Sequence, residues 1–316
     1  MKNIYVSSIG GDIAQSIISI ISETLESFTI FGSDVNYNQP GCFLVNHFEV
    51  SPHADDPNFF RWLTQFLRSN LIDYYLPINE SELRALATIS DNQLNKVLGS
   101  CSIIWSGRSA VGLFGDKYLT SKFLTEIGVK TPLVYEDLDE IQDSDFPLIV
   151  KPRFGSGSKS IFRCDSKREL EGSLLFVPTP IIQKFIGEND QEFTAGIFRH
   201  SSGESKVVIF RRKLVGGATG WAEVYQNIQM ENICRNIVSA VNLSGSINVQ
   251  FRLDEGEPSV FEINGRLSST VYMRHLLGFE DLLWSMGQTE SFNSFNSKQY
   301  AGRVLYKINQ FRISEP

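Results

Sequence analysis

The chain has 316 residues, of which 42% are hydrophobic, and a formal net charge of −7. This length suits two domains, or one domain with a lid, around a large core. The negative charge argues against a nucleic-acid partner, and no apolar run approaches the roughly 18 residues of a membrane span. Four scattered cysteines without CxxC spacing, and a start without a signal-peptide pattern, are typical of a cytoplasmic protein.

The first hundred residues alternate predicted strands with predicted helices. Strands are expected at 3–8, 28–32, 72–76 and 102–105, and helices at 13–25 and 81–87. This alternation favours a parallel sheet with right-handed crossovers. Gly10-Gly11 follows the first strand, but the glycine fingerprint of dinucleotide-binding folds is incomplete. A tight strand-to-helix turn is therefore the favoured interpretation of this glycine pair.

From about residue 116 the pattern changes to helices mixed with antiparallel strands. Lys151 ends a predicted strand that opens onto residues 152–160, a loop rich in glycine and serine. Backbone N–H groups and hydroxyls of such a loop can surround a phosphate. The loop lacks the Gly-Lys-Ser/Thr ending of a P-loop. The residues after it are expected to return as a strand, which would make the loop a hairpin lid.

The most informative segment is a predicted hairpin at 248–264, whose two strands are joined by an acidic turn. Because side chains alternate along a strand, Glu262 and Asn264 are expected on one face, and Phe261 and Ile263 in a core. If the strands pair, Gln250 reaches the polar face as well. One carboxylate and two amide oxygens are hard ligands of the kind Mg²⁺ takes beside phosphates. From alternation alone, a solvated face is the alternative.

In this order the segments resemble the ATP-grasp superfamily, and most closely its carbamoyl-phosphate-synthase large-subunit-like branch, over nearly the whole chain. The resemblance rests on Gly32-Ser33-Asp34, the run from Leu76 to Leu83, Asp116-Lys117, the run from Ile149 to Ser158, the run from Ile182 to Ile186, Glu192-Phe193-Thr194, Gln250, Glu262, Asn264 and Arg266. It implies an α/β and α+β fold. A parallel-sheet pre-ATP-grasp domain at 1–110 would precede an ATP-grasp domain at 111–316, with a small mobile lid subdomain at about 130–186.

The resemblance also implies which residues bind ATP. The phosphate-binding residues would be Lys117, Lys151, Ser156, Gly157 and Ser158; the hinge facing adenine would be Gln183, Lys184, Phe185 and Ile186; and the ribose ligand would be Glu192 or, alternatively, Glu188.

A metal set is implied at the predicted hairpin, where Gln250, Glu262 and Asn264 would hold one or two Mg²⁺ ions, with Mn²⁺ as an alternative. Many ligases of the superfamily have an aspartate where this chain has Gln250. Since the amide carries no charge, metal binding is expected to depend on phosphate oxygens from ATP.

The candidate catalytic residues are basic. By resemblance, Arg266 would face the transferred phosphate and Lys151 would contact the α- and β-phosphates. The strand that ends in Arg211-Arg212-Lys213 is expected to face the same cleft with one of its sides. Because alternate residues of a strand face opposite sides, either Arg212 or the pair Arg211 and Lys213 would face the cleft. The sequence slightly favours Arg211 with Lys213.

The activity that the resemblance implies is ATP-dependent carboxylate–amine ligation, in which an acyl phosphate becomes an amide and ADP and phosphate are released. The alternatives are carbamoyl-phosphate-synthase-like or other small-acid phosphoryl transfer, and a non-catalytic MgATP-binding protein. The expected partners are a small carboxylate and a small amine, without nucleic acid or membrane. Arg274 is open between a clamp for the substrate carboxylate and a capping or surface role. The aromatic-rich tail, Phe292 to Phe311, is expected to pack on the core or to form a homodimer face.

Overall fold

The computed structural model describes residues 2–155, 160–187 and 191–308. Within these ranges three β-sheets organise the chain, and each uses a continuous part of the sequence. The predicted mixed fold, a parallel sheet combined with antiparallel sheets, is confirmed. No helix in the described ranges has both the length and the apolar character that a membrane span requires.

The first sheet is parallel and has the strand order β3-β2-β1-β4-β5. Its strands are β1 (Lys2–Val6), β2 (Phe28–Asp34), β3 (His47–Val50), β4 (Tyr74–Leu76) and β5 (Ser102–Ile103). The helices of this part of the chain are α1 (Asp12–Thr24), α2 (Phe59–Ser69), α3 (Glu80–Thr88), α4 (Asp91–Leu98) and α5 (Arg108–Phe114).

Both faces of the parallel sheet are buried, as the helical crossovers require. Ile4 and Val6 of β1 join one apolar core with α1, whereas Tyr5 joins a second core with α2 and α4. The strand order reverses between β1 and β4. In open α/β sheets, ligands bind outside the carboxyl ends of the strands at such a reversal.

The second sheet is antiparallel, with the order β6-β9-β7-β8. Its strands are β6 (Val134–Tyr135), β7 (Leu148–Pro152), β8 (Phe162–Cys164) and β9 (Pro180–Lys184). Helix α6 (Lys117–Glu126) precedes this sheet, and α7 (Lys167–Leu174) packs against it. The predicted return strand after the glycine-rich loop is therefore present as β8.

The third sheet is antiparallel, with the order β14-β13-β10-β11-β12-β15. Its strands are β10 (Glu192–Arg199), β11 (Ser205–Val215), β12 (Ala218–Tyr225), β13 (Gly245–Asp254), β14 (Glu257–Asn264) and β15 (Val304–Tyr306). Helices α6 and α8 (Ile228–Ala240) cover one face and enclose a large apolar core with it. The opposite face carries the polar side chains described below.

A β-bulge in β14 changes the predicted alternation. Gln250 pairs with Glu262 and Phe251 pairs with Val260, so Phe261 is an extra residue without a partner in β13. Val260 and Ile263 both enter the core, whereas Phe261 is only half-buried. The prediction that Phe261 points into the core is wrong, because a strand with an inserted residue reverses its alternation at that point.

The sequence pattern predicts a helix within 270–283, and helical structure is present there. It consists of two short helices, α9 (Val271–His275) and α10 (Asp281–Ser285). Gly278 separates them with a φ of 75°, a backbone conformation that favours glycine and that ends a right-handed helix. The division into domains at 1–110 and 111–316, with a lid at about 130–186, stays a prediction.

A buried ion pair holds α9 and α10 against the third sheet. The side chains of Arg274 and Asp281 are 0% and 1% exposed, with 2.7 Å between Nη2 and Oδ2. Arg274 also donates to the hydroxyls of Ser268 and Thr270, and Ser246 donates to Asp281. Arg274 therefore has a structural position, and neither the carboxylate clamp nor the surface role considered for it describes its environment.

We expect Asp281→Ala to lower the free energy of unfolding by about 3–5 kcal/mol, because it leaves the Arg274 charge buried without a partner. The measurement is urea unfolding of the full chain. The double variant Arg274→Met with Asp281→Leu removes both charges and should recover most of the loss. If Asp281→Ala is as stable as the wild type, water or a rearrangement must stabilise the Arg274 charge in place of Asp281.

Candidate active site

A cleft with a volume of about 480 Å³ lies between the second and third sheets. We call it the central cleft; its charged and amide side chains are Asp12, Lys117, Lys151, Arg212, Asn248, Gln250, Glu262, Asn264 and Arg266. Most of the residues predicted to bind phosphate or metal therefore lie on one wall or the other of a single cavity. Ser156, Gly157, Ser158 and the alternative ribose ligand Glu188 lie outside the described residues.

The amide and carboxylate groups converge because β13 and β14 pair in register. Gln250 lies opposite Glu262, and Asn248 lies opposite Asn264. The Asn264 amide donates to Glu262 Oε1 at 3.2 Å, whereas Gln250 Oε1 accepts from Arg212 at 2.8 Å. Among the residues that the structure describes, no three His, Cys, Asp or Glu side chains form a metal-binding group.

This donor set fits Mg²⁺ with phosphates better than a cage made by protein alone. Mg²⁺ in nucleotide enzymes is held by one or two carboxylates, with waters and phosphate oxygens completing the octahedron. Glu262 supplies the carboxylate, and Asn264 supplies an amide oxygen from the same side of the strand. Gln250 can join them only if its amide turns away from Arg212.

Two lysines reach the cleft from the opposite side. Lys151 of β7 is 5% exposed, and its ammonium donates to the Phe261 carbonyl at 3.4 Å. Burial lowers the pKa of Lys151 to about 8. The negative charge of Glu262 raises this pKa, and the positive charge of Lys117 lowers it further. Lys117 begins α6 and donates to the Gly155 carbonyl at 2.6 Å. A phosphate bound in the cleft would supply negative charge to both ammonium groups and so stabilise their protonated forms.

Helix α6 is fixed at its start by an ion pair. Asp116 caps the helix through the N–H groups of Tyr118 and Leu119, and it also accepts from Arg153 at 2.7 Å. Since Arg153 follows β7 directly, this pair ties the start of the glycine-rich loop to the helix that carries Lys117. The Asp-Lys segment thereby positions a lysine at the cleft.

Arg212 faces the cleft, and Arg211 and Lys213 do not. Arg212 is 7% exposed and bonds to both Glu192 and Gln250. Arg211 instead pairs with Glu223 at 2.6 Å on the solvent side of β11. Like Arg211, Lys213 packs over the Trp221 ring, at 5.6 Å from its centroid. The favoured alternative of the sequence is thus corrected: Glu192 lies opposite Arg212 in the ladder, which puts this arginine on the polar face.

Glu192 is held by two arginines. Arg212 contacts its Oε1 at 2.6 Å and Arg252 contacts its Oε2 at 3.2 Å. Glu192 does not itself line the cleft, but it contacts Arg212, which does. In the present arrangement it orients two cations, and a ribose hydroxyl would have to share its oxygens with them.

The predicted hinge residues lie at the end of β9, an inner strand of the second sheet, and just after it. Gln183 is buried and lines a small pocket next to Lys117 and Glu262. Lys184 turns away from the cleft and donates to the Asp145 carbonyl. The Phe185 ring lies under the guanidinium of Arg252, 5.3 Å from the centroid. The next residue, Ile186, is buried, with 8% of its surface exposed.

Arg266 joins the central cleft to a second cavity on the side of the parallel sheet. Its Nη2 pairs with Glu80 Oε1 at 3.0 Å, and its Nε is buried without a hydrogen-bond partner among the described residues. Asn248 has a similar feature, since its amide nitrogen is buried and has no hydrogen-bond partner in the part of the chain that the structure describes. The sequence analysis assigned no role to Asn248 or Glu80. Asn248 could have been identified from its spacing, because residues 248 and 250 lie on the same face of a strand.

Comparison with known proteins agrees with this arrangement. Residues 114–270 match the sequence pattern of the ATP-grasp domain family. The chain contains an ATP-grasp domain. The resemblance predicted from the sequence is therefore confirmed for the part of the chain that carries the central cleft.

Two curated relatives align with about half of this ATP-grasp chain. D-alanine–D-alanine ligase of Fusobacterium nucleatum is 30% identical over 173 residues, which are 50% of this chain and 58% of the relative. The carbamoyl phosphate synthase large chain of Thermoanaerobacter sp. is 28% identical over 203 residues, 55% of this chain and 18% of the relative. The chain thus spans little more than half the length of the ligase and less than a fifth of the synthase chain.

Solved structures show the same fold over more of the chain. N5-carboxyaminoimidazole synthetase from Staphylococcus aureus, complexed with ADP, has a TM-score of 0.69 at 16% identity and covers 90% of this chain and 76% of its own. L-amino acid ligase from Bacillus licheniformis has a TM-score of 0.70 at 19% identity, covering 96% and 78%. At these identities the likeness establishes the architecture, including the parallel N-terminal sheet.

Proposed function

We propose that this ATP-grasp chain is an ATP-dependent ligase that joins a carboxylate to an amine. The proposal rests on the central cleft, where Lys151 and Arg212 face Glu262 and Asn264 inside an ATP-grasp domain. The γ-phosphoryl group of ATP would pass to a carboxylate oxygen, giving an acyl phosphate and ADP. The amine would then attack the acyl carbon and lose a proton, and phosphate would leave with one former carboxylate oxygen.

The roles follow from charge and position. Lys151 and Lys117 would bind the α- and β-phosphates, and Arg212 and Arg266 would face the transferred group. Glu262 and Asn264, with Gln250 as a third ligand, would hold Mg²⁺, which neutralises charge between the β- and γ-phosphates when bound. Positioning and charge neutralisation are sufficient for this chemistry, so no side-chain nucleophile is required.

Three finer expectations belong to the same proposal. Glu192, or Glu188 in its place, would take the ribose hydroxyls, and Gln183 with the hinge backbone would recognise adenine. One or two metal ions would bind, with Mn²⁺ as an alternative to Mg²⁺. The chain would act on small molecules, either as a monomer or as a homodimer.

A second candidate function is phosphoryl transfer to bicarbonate or another small acid without an amine. The match to a carbamoyl phosphate synthase large chain favours this alternative. The two reactions differ in whether an amine is needed for ADP and phosphate to be released.

The test is ADP and phosphate release from MgATP with pooled carboxylates, with and without pooled amines and bicarbonate. Release that requires both a carboxylate and an amine supports the ligase, and the pools can then be divided to find the substrates. Release with bicarbonate or a carboxylate alone supports the second candidate. Binding of MgATP without any release would contradict both reactions.

We expect Arg212→Ala to lower kcat/KM for ATP by roughly tenfold or more, because it removes a buried cation from the phosphate side of the cleft. Arg211→Ala is the matched control, since it removes the same charge from the solvent side of the same strand. Its kcat/KM should stay within about twofold of the wild type. A larger loss in Arg211→Ala than in Arg212→Ala would reverse the assignment.

A further inference from the structure

A second cavity, with a volume of about 740 Å³, lies at the carboxyl ends of the parallel strands. We call it the N-terminal cavity. It reaches the strand reversal between β1 and β4. The residues that it shares with the central cleft are Asp12, Ile13, Phe154, Gly155, Asn264 and Arg266. A molecule bound here would therefore adjoin the proposed site of phosphoryl transfer.

The floor of the N-terminal cavity carries a buried carboxylate without a basic partner. Asp34 ends β2 and is 9% exposed. Its oxygens accept from the backbone N–H groups of Gly10 at 3.0 Å and Asn36 at 3.3 Å. No Lys, Arg or His in the described ranges forms an ion pair with it.

Gly10 lets polar side chains close around this point. A Cβ at Gly10 would lie 2.3 Å from Gln39 Oε1 and 3.1 Å from Asp34 Oδ2. The glycine of the first strand-to-helix turn is therefore required for the packing of two polar side chains at a cavity wall. The strand-to-helix turn predicted from the sequence is therefore present, and its Gly10 also forms part of the cavity wall.

The other acidic groups of the cavity are already matched. Glu80 pairs with Arg266 at 3.0 Å, and Asp12 lies 3.7 Å from Lys307. Glu82 accepts hydrogen bonds from Ser7 and Tyr75, and burial raises its pKa to about 7. Asp34 is thus the lining carboxylate whose charge is left to be balanced by something in the cavity, because a buried charge is costly unless it is paired.

The size of the cavity argues for an organic ligand. A volume of 740 Å³ is typical of sites that bind drug-sized molecules and is far greater than the roughly 30 Å³ share of a single water, which ammonia would resemble. Besides Arg266, the basic groups that line the cavity are His53 and Arg84, and both are exposed. Arg84 lies over the Phe154 ring, 5.4 Å from its centroid. Anionic ligands would have to approach the uncompensated Asp34.

We propose that the N-terminal cavity binds the amine substrate and that this substrate carries a second, cationic nitrogen which pairs with Asp34. The proposal rests on the ligase function argued above. The substrate class is an organic diamine or a basic amino acid. One nitrogen would lie beside Asn264 and Arg266 as the nucleophile, losing its proton on attack, and the other would stay protonated on Asp34.

The test is calorimetric titration of the full chain, saturated with MgADP, with matched pairs of amines. The test ligands have two cationic groups; they are 1,3-diaminopropane to 1,6-diaminohexane, L-lysine and L-arginine. The controls lack the second cationic group; they are propylamine to hexylamine, L-norleucine and L-citrulline. We expect at least one ligand with two cationic groups to bind roughly tenfold more tightly than its control, because a buried charge pair with good geometry discriminates strongly against an analogue without that charge.

Asp34→Asn keeps the shape and one backbone acceptor of the side chain, and it should abolish that preference without changing the affinity for MgADP. Asp55→Asn removes the same charge from an exposed position of the same part of the chain and should keep the preference. No preference in any wild-type pair overturns the proposal, and so does a preference that survives in folded Asp34→Asn. Because binding is measured without turnover, a chain that binds ligands with two cationic groups but forms no amide would refute the ligase function alone.

Discussion

Glu262→Gln is expected to lower the rate of ADP release by roughly two orders of magnitude or more while the chain remains folded. The substitution keeps the size of the side chain and replaces the carboxylate of the proposed metal set by an amide. Gln250 and Asn264 are already neutral, so no charged ligand would be left to hold Mg²⁺ against the γ-phosphate. The measurement is steady-state ADP release at saturating MgATP, with thermal unfolding as the check of folding.

The matched control is Glu257→Gln, which makes the same change at the far end of the same strand. Glu257 is exposed and pairs with Lys130 at 3.3 Å, well away from the residues of the central cleft. Its rate should stay within about twofold of the wild type, because exposed pairs contribute little. Near-normal turnover in folded Glu262→Gln would remove Glu262 from the metal set.

Lys151→Ala is the second large effect, and we expect it to lower kcat/KM for ATP by roughly a hundredfold or more. Lys151 is buried between two sheets, and its pKa is lowered to about 8 because burial disfavours the ammonium. A bound polyphosphate would stabilise that ammonium in a site with little water, where charge-assisted contacts are strong. The variant leaves the phosphates without their closest buried cation.

Lys167→Ala serves as the control, since Lys167 is exposed at the start of α7 in the same part of the chain. Its kcat/KM should be close to that of the wild type. The affinity for MgADP, measured by calorimetry, should fall in Lys151→Ala and stay unchanged in Lys167→Ala. If folded Lys151→Ala binds MgADP and turns over normally, Lys151 is a structural lysine and the phosphates must lie elsewhere in the cleft.

The elements of the fold could be predicted where the hydrophobic period is regular. The alternation of β1, α1 and β2 identified a parallel sheet, and the hairpin of β13 and β14 brought Gln250 to the side of Glu262 and Asn264. These predictions hold because strand pairing and a period of two leave few arrangements for a polar face.

Other features could not be predicted because they depend on a single inserted residue or on the partner strand. The bulge at Phe261 adds one residue without any signature in the alternation. The choice between Arg211 and Arg212 depends on the register of β10 against β11, which the sequence of β11 does not contain. In the same way, the buried position of Arg274 depends on its ion pair with Asp281, which forms because the chain turns between α9 and α10.

The N-terminal cavity shows a third kind of limit. Asp34 was part of the resemblance, and Gly10 was recognised as a turn, but the direct hydrogen bond between them and the contact of Gln39 with Gly10 depend on the tertiary packing. A cavity forms where packed helices and strands leave space between them. Local sequence patterns indicate which side chains each element buries, but they do not show where such space remains.

The central claim is that an acyl phosphate forms and is attacked by an amine. The most direct test is an isotope experiment that traces the oxygen atoms of the released phosphate. The reaction is run in H₂¹⁸O with the carboxylate and amine found from the pools, and the released phosphate is analysed by mass spectrometry. If the carboxylate oxygen becomes the fourth oxygen of phosphate, the phosphate should contain no oxygen from the solvent. One solvent oxygen in each phosphate would mean that water attacks phosphorus directly, and this would contradict ligation through an acyl phosphate.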